Sequence, residues 1–160
     1  MGAVFVRPAG PADAALIHAF VRDLADYEKL LHEVEATEAD IASALFGENP
    51  RVFCEIAEAD GAAVGFALWF YSFSTFRGRQ GIYLEDLFVR PQARGVGAGK
   101  ALLRALAKRC VEEGLGRLEW SVLDWNAPAI GFYDGLGAAA MDAWTVRRLD
   151  GKALEALAAS

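Results

Sequence analysis

The chain has 160 residues, of which 54% are hydrophobic and 24% charged, and its 16 basic and 22 acidic residues give a net charge of −6. This length suits a single domain over residues 1–160, and the composition excludes a disordered chain. The acidic balance argues against a nucleic-acid partner and no apolar stretch approaches the ~18 residues that span a membrane, so we expect a cytoplasmic protein that binds neither.

The N-terminal part of the chain is predicted to hold one strand and two helices. Residues 1–7 alternate weakly, which suggests the strand, and a cluster of proline and glycine ends it. Asp13 stands at a capping position, and apolar residues at three- and four-residue intervals over 16–24 predict the first helix. The second helix is predicted to begin at Thr37 and to end at Gly47.

The middle of the chain is predicted to form three strands. Apolar runs over 52–57 and 63–73 flank Asp60-Gly61, a pattern typical of a β-hairpin. Residues 72–81 are polar, aromatic and basic, and are predicted to form a loop. Residues 82–89 then form a strand that is too apolar to lie at the edge of a sheet.

Helices and strands are predicted to alternate in the C-terminal part. A helix follows a glycine-rich turn and stops at Gly114, the strand 118–123 comes next, and a helix runs from Asn126 to about residue 136. A last strand over 144–149 and a short helical tail over 154–158 complete the chain. The element order is therefore β-α-α-β-β-β-α-β-α-β, which indicates one mixed α/β domain.

The glycine-rich turn carries the strongest functional signal. Gly95, Gly97 and Gly99 leave backbone N–H groups uncovered at the start of a helix, where they attract an anion such as a phosphate. A Walker A loop is excluded because only three residues separate Gly95 from Gly99 and Ala101 follows Lys100. A dinucleotide fingerprint is excluded because Lys100 stands three places after Gly97. A turn that serves only helix packing stays open.

The pattern Arg-x-x-Gly-x-Gly, filled by Arg94, Gly97 and Gly99, resembles the acetyl-CoA pyrophosphate loop of the GNAT superfamily. Residues 83–89 and 126–133 resemble the diamine (spermidine/spermine) acetyltransferases, as do 6–9 and 24–28, so the resemblance covers nearly the whole chain. It implies the GNAT fold, with a mixed central sheet flanked by helices, acetyl-CoA as cosubstrate, and a homodimer paired through the apolar segment 141–149. It also implies that the coenzyme contacts Leu87, Phe88, Val89, Arg94, Gly95, Val96, Gly97, Ala98, Gly99, Lys100, Asn126 and Ala129.

Two carboxylates, Glu85 and Asp86, interrupt the apolar strand 82–89. Adjacent strand residues point to opposite faces, so the two cannot meet the same environment. An ion pair or backbone hydrogen bonds would be a purely structural reason for either, above all for Asp86. An amine with a pKa of ~10.4 is protonated at pH 7, and a carboxylate can bind the ammonium and accept its proton, directly or through water. The resemblance places Glu85 at the substrate amine.

Tyr133 and Asn126 lie on the predicted helix after strand 118–123. Read from the residues alone, Tyr133 is a half-buried aromatic and Asn126 a helix cap. The reaction gives the hydroxyl a use, because coenzyme A leaves as a thiolate and a nearby phenol can protonate it. The resemblance implies that Tyr133 is this general acid and that Asn126 contacts the pantetheine arm.

The substrate residues match the family only in part. Tyr27 and Glu28 match diamine-family positions that contact substrate, and Glu28 would hold a distal ammonium. Phe76 replaces a tryptophan of that family, and Arg77 and Arg79 add positive charge. A diamine or polyamine and a lysine-like amino acid therefore both stay open as substrates.

The leading hypothesis is an enzyme in which the amine attacks acetyl-CoA directly in a ternary complex. A non-catalytic acyl-CoA-binding module of the same fold is one alternative, although it would need neither Glu85 nor Tyr133. Acetylation of a protein N-terminus or lysine is another. Cys54 and Cys110 lack the spacing of metal ligands, and we expect two buried free thiols and no metal.

Overall fold

The computed structural model describes residues 2–160 and forms two compact units, one that ends at Ser121 and one that spans Val122–Ser160. The first unit contains a five-stranded sheet made of β1 (Val4–Pro8), β2 (Phe53–Ala59), β3 (Ala62–Ser74), β4 (Arg79–Val89) and β5 (Leu118–Trp120). Its α-helices are α1 (Ala14–Tyr27), α2 (Glu38–Phe46) and α3 (Ala98–Glu113). The second unit contains α4 (Ala127–Gly135) and α5 (Gly151–Ala158).

The strands lie in the sheet in their chain order, β1-β2-β3-β4-β5. The first four are antiparallel neighbours, and β5 pairs parallel to β4, so the sheet is mixed as expected. The β2–β3 turn at Asp60-Gly61 has positive φ at both residues, 51° and 76°, which a two-residue hairpin turn requires. The predicted interior position of the strand is confirmed for residues 82–84, which have β3 on one side and β5 on the other; from Glu85 onwards only β3 pairs with β4 within residues 2–160.

Helices cover both faces of the sheet. On one face, α1 and α2 bury a core cluster made of Ile17, Phe20, Leu45, Cys54, Ile56, Phe66, Leu68 and Phe88. Glu55 lies between two members of this cluster and therefore points to the opposite face, where Arg109 of α3 contacts it. The buried stripe of α3 faces the sheet there and consists of Leu102, Leu103, Leu106 and Cys110.

The predicted strand over 144–149 is wrong. These residues form no hydrogen-bonded ladder with any strand that the structure describes, and Trp144 and Val146 are 78% and 84% exposed. A strand exists only when a neighbour satisfies its N–H and C=O groups, and the composition of one segment does not reveal whether such a neighbour is present. The element order is thus β-α-α-β-β-β-α-β-α-α, and the predicted helical tail begins earlier, at Gly151.

The other predicted boundaries of strands and helices differ less from those in the structure. The loop predicted over 72–81 is a turn of only four residues, 75–78, because β3 and β4 continue on both sides of it. The first strand is Val4–Pro8, and Met1, the first residue of the predicted strand, lies outside the described residues. No helix within residues 2–160 has the length and apolar character that crossing a membrane demands.

Candidate functional site

The glycine turn between β4 and α3 presents an open backbone. Gly95 and Gly97 have φ of +86° and +87°, and a Cβ at either position would meet no atom within 4 Å. Glycine is therefore required here by backbone conformation rather than by crowding. Gly97 is the N-cap of α3 and offers no side-chain cap, so the N–H groups of the first helical turn are open to an anion.

Arg94 lies at the start of the glycine turn and contacts the elements on either side of it. Its Nε donates to the carbonyl oxygen of Val89 at 3.1 Å, and its guanidinium lies 4.9 Å from the ring centroid of Tyr27 and 5.7 Å from that of Phe88. Cation–π contacts of this kind fasten the turn to the end of β4 and to the end of α1. The structure thus brings Arg94, Phe88 and Tyr27 together.

A β-bulge lies at Glu85. Leu68 pairs with Asp86 and Trp69 pairs with Leu84, so Glu85 is an extra residue in β4. The bulge shifts the alternation of side chains, and Asp86 shares a face with Leu68 of the core cluster whereas Leu84 shares a face with Trp69. Bulges of this kind re-aim a side chain and are frequent beside active sites.

The same part of β4 has an open edge. The ladder between β4 and β5 runs only from Ile82 to Leu84, and beyond Leu84 only β3 pairs with β4 within residues 2–160. From Glu85 onwards the β5 side of β4 therefore has no strand neighbour within the described residues, and an unpaired strand edge is where backbone polar groups can bind a ligand. This edge contains Leu87, Phe88 and Val89 and leads from the bulge to the glycine turn.

Three carboxylates, which we call the acidic cluster, lie together near the bulge: Glu28, Glu85 and Asp86. Burial, together with the nearby charges of Glu85 and Glu28, raises the pKa of Asp86 to about 7. Burial also raises the pKa of Glu28. None of the three forms an ion pair with a residue that the structure describes. Such a cluster is suited to a cationic group that arrives from outside.

Asp86 is the site residue that sequence reasoning undervalued. A carboxylate in an apolar strand was a visible signal, yet its burial beside Glu28 depends on where α1 ends relative to β4. The bulge was also invisible, since it is a property of strand pairing and not of the residues of β4 alone.

Arg77 and Arg79 lie away from this cluster. Both are exposed, and Arg77 donates through Nη1 to the carbonyl oxygen of Gly116 at 3.4 Å. Glu85 stands six residues beyond Arg79 in the same strand, which corresponds to about 20 Å of extended chain. The interpretation in which these arginines line the substrate pocket has no support in the structure.

The remaining predicted site residues belong to the second unit. Asn126 is buried, and its Oδ1 accepts from the backbone N–H of Ala129 at 3.4 Å, so the predicted cap of α4 is confirmed. Tyr133 lies two turns further along α4, is half-buried, and contacts the ring of Phe132 with the centroids 5.5 Å apart. Asn126 and Tyr133 are seven residues apart and lie on the same side of this helix. Within residues 2–160, no group of three His, Cys, Asp or Glu side chains is placed to hold a metal ion.

Comparison with known proteins identifies one family. The Acetyltransferase (GNAT) family matches residues 17–138. A thialysine N-epsilon-acetyltransferase from Bos taurus is 36% identical and covers 99% of both chains. The L-ornithine N5-acetyltransferase NATA1 of Arabidopsis thaliana is 34% identical over 95% of this chain and 86% of its own.

A solved structure shares the fold. An integron cassette protein from the mobile metagenome of V. cholerae, VCH_CASS6, matches with a TM-score of 0.81 and 28% identity over 100% of both chains. The expected fold class is therefore confirmed, with the exception of the last strand. The resemblance to the GNAT superfamily, and within it to the diamine acetyltransferases, is confirmed as well.

Proposed function

Because the chain belongs to the acetyltransferase (GNAT) family and is an N-acetyltransferase of small-molecule amines, we propose that its donor is acetyl-CoA and its acceptor the side-chain amine of a lysine-like amino acid. The observation that carries this proposal is the strand edge that begins at the bulge at Glu85, where β4 has no β5 neighbour, followed along the chain by the open glycine turn. It supplies amides for a pantetheine chain and uncapped N–H groups for a pyrophosphate, with the acidic cluster beside the bulge.

The residues near the glycine turn fit coenzyme A in this proposal. The pyrophosphate binds the N–H groups of Val96 to Lys100, including those of Gly97, Ala98 and Gly99, and Gly95 keeps the turn open. The pantetheine lies along Leu87, Phe88 and Val89 and contacts Asn126 and Ala129. Arg94 acts by holding the turn against Tyr27.

Two glycine variants with comparable backbone strain test this binding mode. Gly97→Val abolishes coenzyme A binding in calorimetry because a side chain occupies the space of the pyrophosphate. Gly78→Val is the control, since Gly78 also has positive φ and open space around it but lies in the β3–β4 turn. Equal affinity in folded Gly97→Val protein and in the control would contradict the assignment.

The chemistry uses one proton acceptor and one proton donor. Glu85 accepts a proton from the substrate ammonium, directly or through water, and the freed amine attacks the thioester carbonyl. The tetrahedral intermediate collapses with loss of a proton from the nitrogen, the carbon–sulfur bond breaks, and Tyr133 donates its proton to the departing thiolate; the proton lost from the nitrogen returns through water to the Tyr133 oxygen. Tyr133→Phe then lowers kcat by about 10²–10⁴-fold with little change in acetyl-CoA affinity. Near-normal turnover, with chemistry shown to limit the rate, leaves Tyr133 a packing residue.

The choice of a lysine-like acceptor follows from the relatives. Thialysine and ornithine, named in those relatives, are both amino acids with a side-chain amine, as is the proposed substrate. Tyr27 and the acidic cluster receive the amine. A polyamine is the second candidate, and one observation favours it. The cluster brings three carboxylates together, while Arg77 in the β3–β4 turn and Arg79 at the start of β4 are exposed and distant from it.

A panel of amines assayed by thiol release separates these functions. Thialysine, lysine, ornithine, spermidine, a short diamine and a peptide with a free N-terminus are compared by kcat/KM. We expect kcat/KM to be higher for the amino acids than for spermidine. A preference for spermidine selects the second candidate, a preference for the peptide selects protein acetylation, and acetyl-CoA binding without thiol release selects a non-catalytic module.

We also propose a homodimer in the cytoplasm. Residues 139–150 lack regular secondary structure and expose Met141, Trp144, Val146 and Leu149, which a second copy can cover by strand pairing. The two free, buried cysteines are compatible with a reducing compartment. Light scattering that reports a monomer at micromolar concentration contradicts the dimer.

A further inference from the structure

A groove lined by cations runs along the solvent-facing side of α3, immediately after the glycine turn. We call it the basic groove. Its volume is about 370 Å³, and its lining residues are Gly97, Lys100, Ala101, Arg104, Ala105 and Lys108. The cations recur every four residues and so form a row along one side of the helix, and the small residues form the floor beside them.

The charge of the basic groove is opposite to that of the protein. The chain has a net charge of −6, yet three cations fall within three turns of one helix. Lys108 lies 3.7 Å from Glu112, whereas Lys100 and Arg104 form no ion pair with a residue that the structure describes. Like charges four residues apart destabilise a helix, and a bound anion relieves that repulsion.

We propose that the basic groove receives the adenosine half of coenzyme A and that Arg104 binds its 3′-phosphate. The inference rests on the acetyl-CoA dependence proposed above. Coenzyme A carries its negative charge in two places, a pyrophosphate and a monophosphate on the ribose one sugar away. The uncapped start of α3 accounts for the pyrophosphate only, and the basic groove continues from that point.

The position of Arg104 on α3 favours it over Lys108. A rise of about 1.5 Å per residue places the Cα of Arg104 about 10 Å from that of Gly97, and helical side chains lean towards the N-terminus. The Arg104 guanidinium can therefore reach back over the first turn. Lys108 lies one helical turn further from Gly97 than Arg104 does, and its Nζ forms an ion pair with Glu112.

The chemistry of the side chains also favours Arg104 as the residue that binds the 3′-phosphate. A guanidinium presents two parallel N–H donors that match two phosphate oxygens, whereas an ammonium acts as a point charge. Lys100, in the first turn, contributes positive charge to both phosphate positions. Arg104 thus becomes the residue that distinguishes coenzyme A from its 3′-dephospho form.

Calorimetry with two ligands tests this role separately from catalysis. Coenzyme A and 3′-dephospho-coenzyme A are titrated into wild type, Arg104→Gln and Arg51→Gln. The control removes the same charge from an exposed position outside the groove. We expect wild type and the control to bind coenzyme A about tenfold or more tightly than the dephospho form, and Arg104→Gln to bind both about equally.

The outcomes separate this inference from the proposed function. Wild type that binds both ligands with equal affinity overturns the 3′-phosphate site and leaves the coenzyme assignment intact. Arg104→Gln that weakens both ligands by the same factor, or that keeps the wild-type preference, also overturns the role of Arg104. Wild type that binds neither ligand overturns the coenzyme assignment itself, and the inference with it.

Discussion

Two carboxylates of the sheet, Glu55 and Asp86, lie on opposite faces and have opposite surroundings. On the α3 face, Glu55 accepts a hydrogen bond from Nε1 of Trp69 and lies 3.5 Å from Nη2 of Arg109. On the α1 face, Asp86 is half-buried, and the charges that act on it are those of Glu28 and Glu85. Burial raises the pKa of Glu55 and of Asp86, but only for Glu55 do protein partners oppose the effect.

The difference is the one expected between a structural carboxylate, Glu55, and the proposed functional carboxylates of the acidic cluster. Glu55 belongs to a network in which Arg109 also contacts Glu113 at 3.0 Å and lies 5.1 Å from the ring of Trp69. A carboxylate with such partners contributes to the fold and has little left to offer a ligand. The acidic cluster, by contrast, carries a desolvation cost that an incoming ammonium offsets.

The largest expected effect is on turnover. Glu85→Gln lowers kcat/KM for thialysine by about 10²–10⁴-fold, because the substrate ammonium loses its proton acceptor. The free energy of unfolding stays close to that of wild type, since Glu85 is exposed and has no ion-pair partner within the described residues. Glu55→Gln is the matched control and keeps the kcat/KM of wild type per folded molecule. Equal losses in both variants would remove the distinction between the two faces.

The second effect is on stability and concerns the other face. Glu55→Gln lowers the free energy of unfolding by about 1–3 kcal/mol, because it weakens a buried charge-assisted hydrogen bond. Glu119→Gln is the control: its ion pair with Arg117 at 2.9 Å is half-exposed, and its loss costs at most about 1 kcal/mol. Urea titration measures both. A smaller loss in Glu55→Gln than in the control would contradict the structural role of Glu55.

The smallest effect is a pH dependence of stability. The pKa of Asp86 is raised to about 7 in the folded protein, so the folded state holds this proton more tightly than the unfolded state. Stability from this group is full below about pH 4 and is lost as the pH rises to about 7. Asp86→Asn therefore loses less stability than wild type between these pH values in urea titrations. Parallel curves for the two proteins would show that Asp86 is not perturbed.

Features that depend on neighbouring residues were predictable from the sequence. Thr37 caps α2 and accepts from the backbone N–H of Asp40, and Gly114 ends α3 with a φ of 67°. The glycine turn has the open, left-handed backbone that its spacing indicates. In each case the residue type decides the local backbone conformation, and distant parts of the chain have little influence on it.

Features that depend on distant neighbours were not predictable. The apolar alternation of 144–149 is compatible with a strand, but no neighbour pairs with it among the described residues. The bulge at Glu85 arises from the pairing of β3 with β4, and the contact of Arg94 with Tyr27 joins a turn to the far end of α1. The residues of the candidate site were therefore predictable individually, whereas the acidic cluster as a unit was not.

The most direct test of the functional carboxylates is the pH profile of kcat/KM for thialysine in wild type and Asp86→Asn. With Asp86 ionised, the acidic cluster binds the ammonium more strongly, so wild-type kcat/KM rises with pH through about 7. We expect Asp86→Asn to lose this step and to keep only the rise that comes from deprotonation of the free amine at higher pH. An unchanged step near pH 7 in Asp86→Asn would contradict the account.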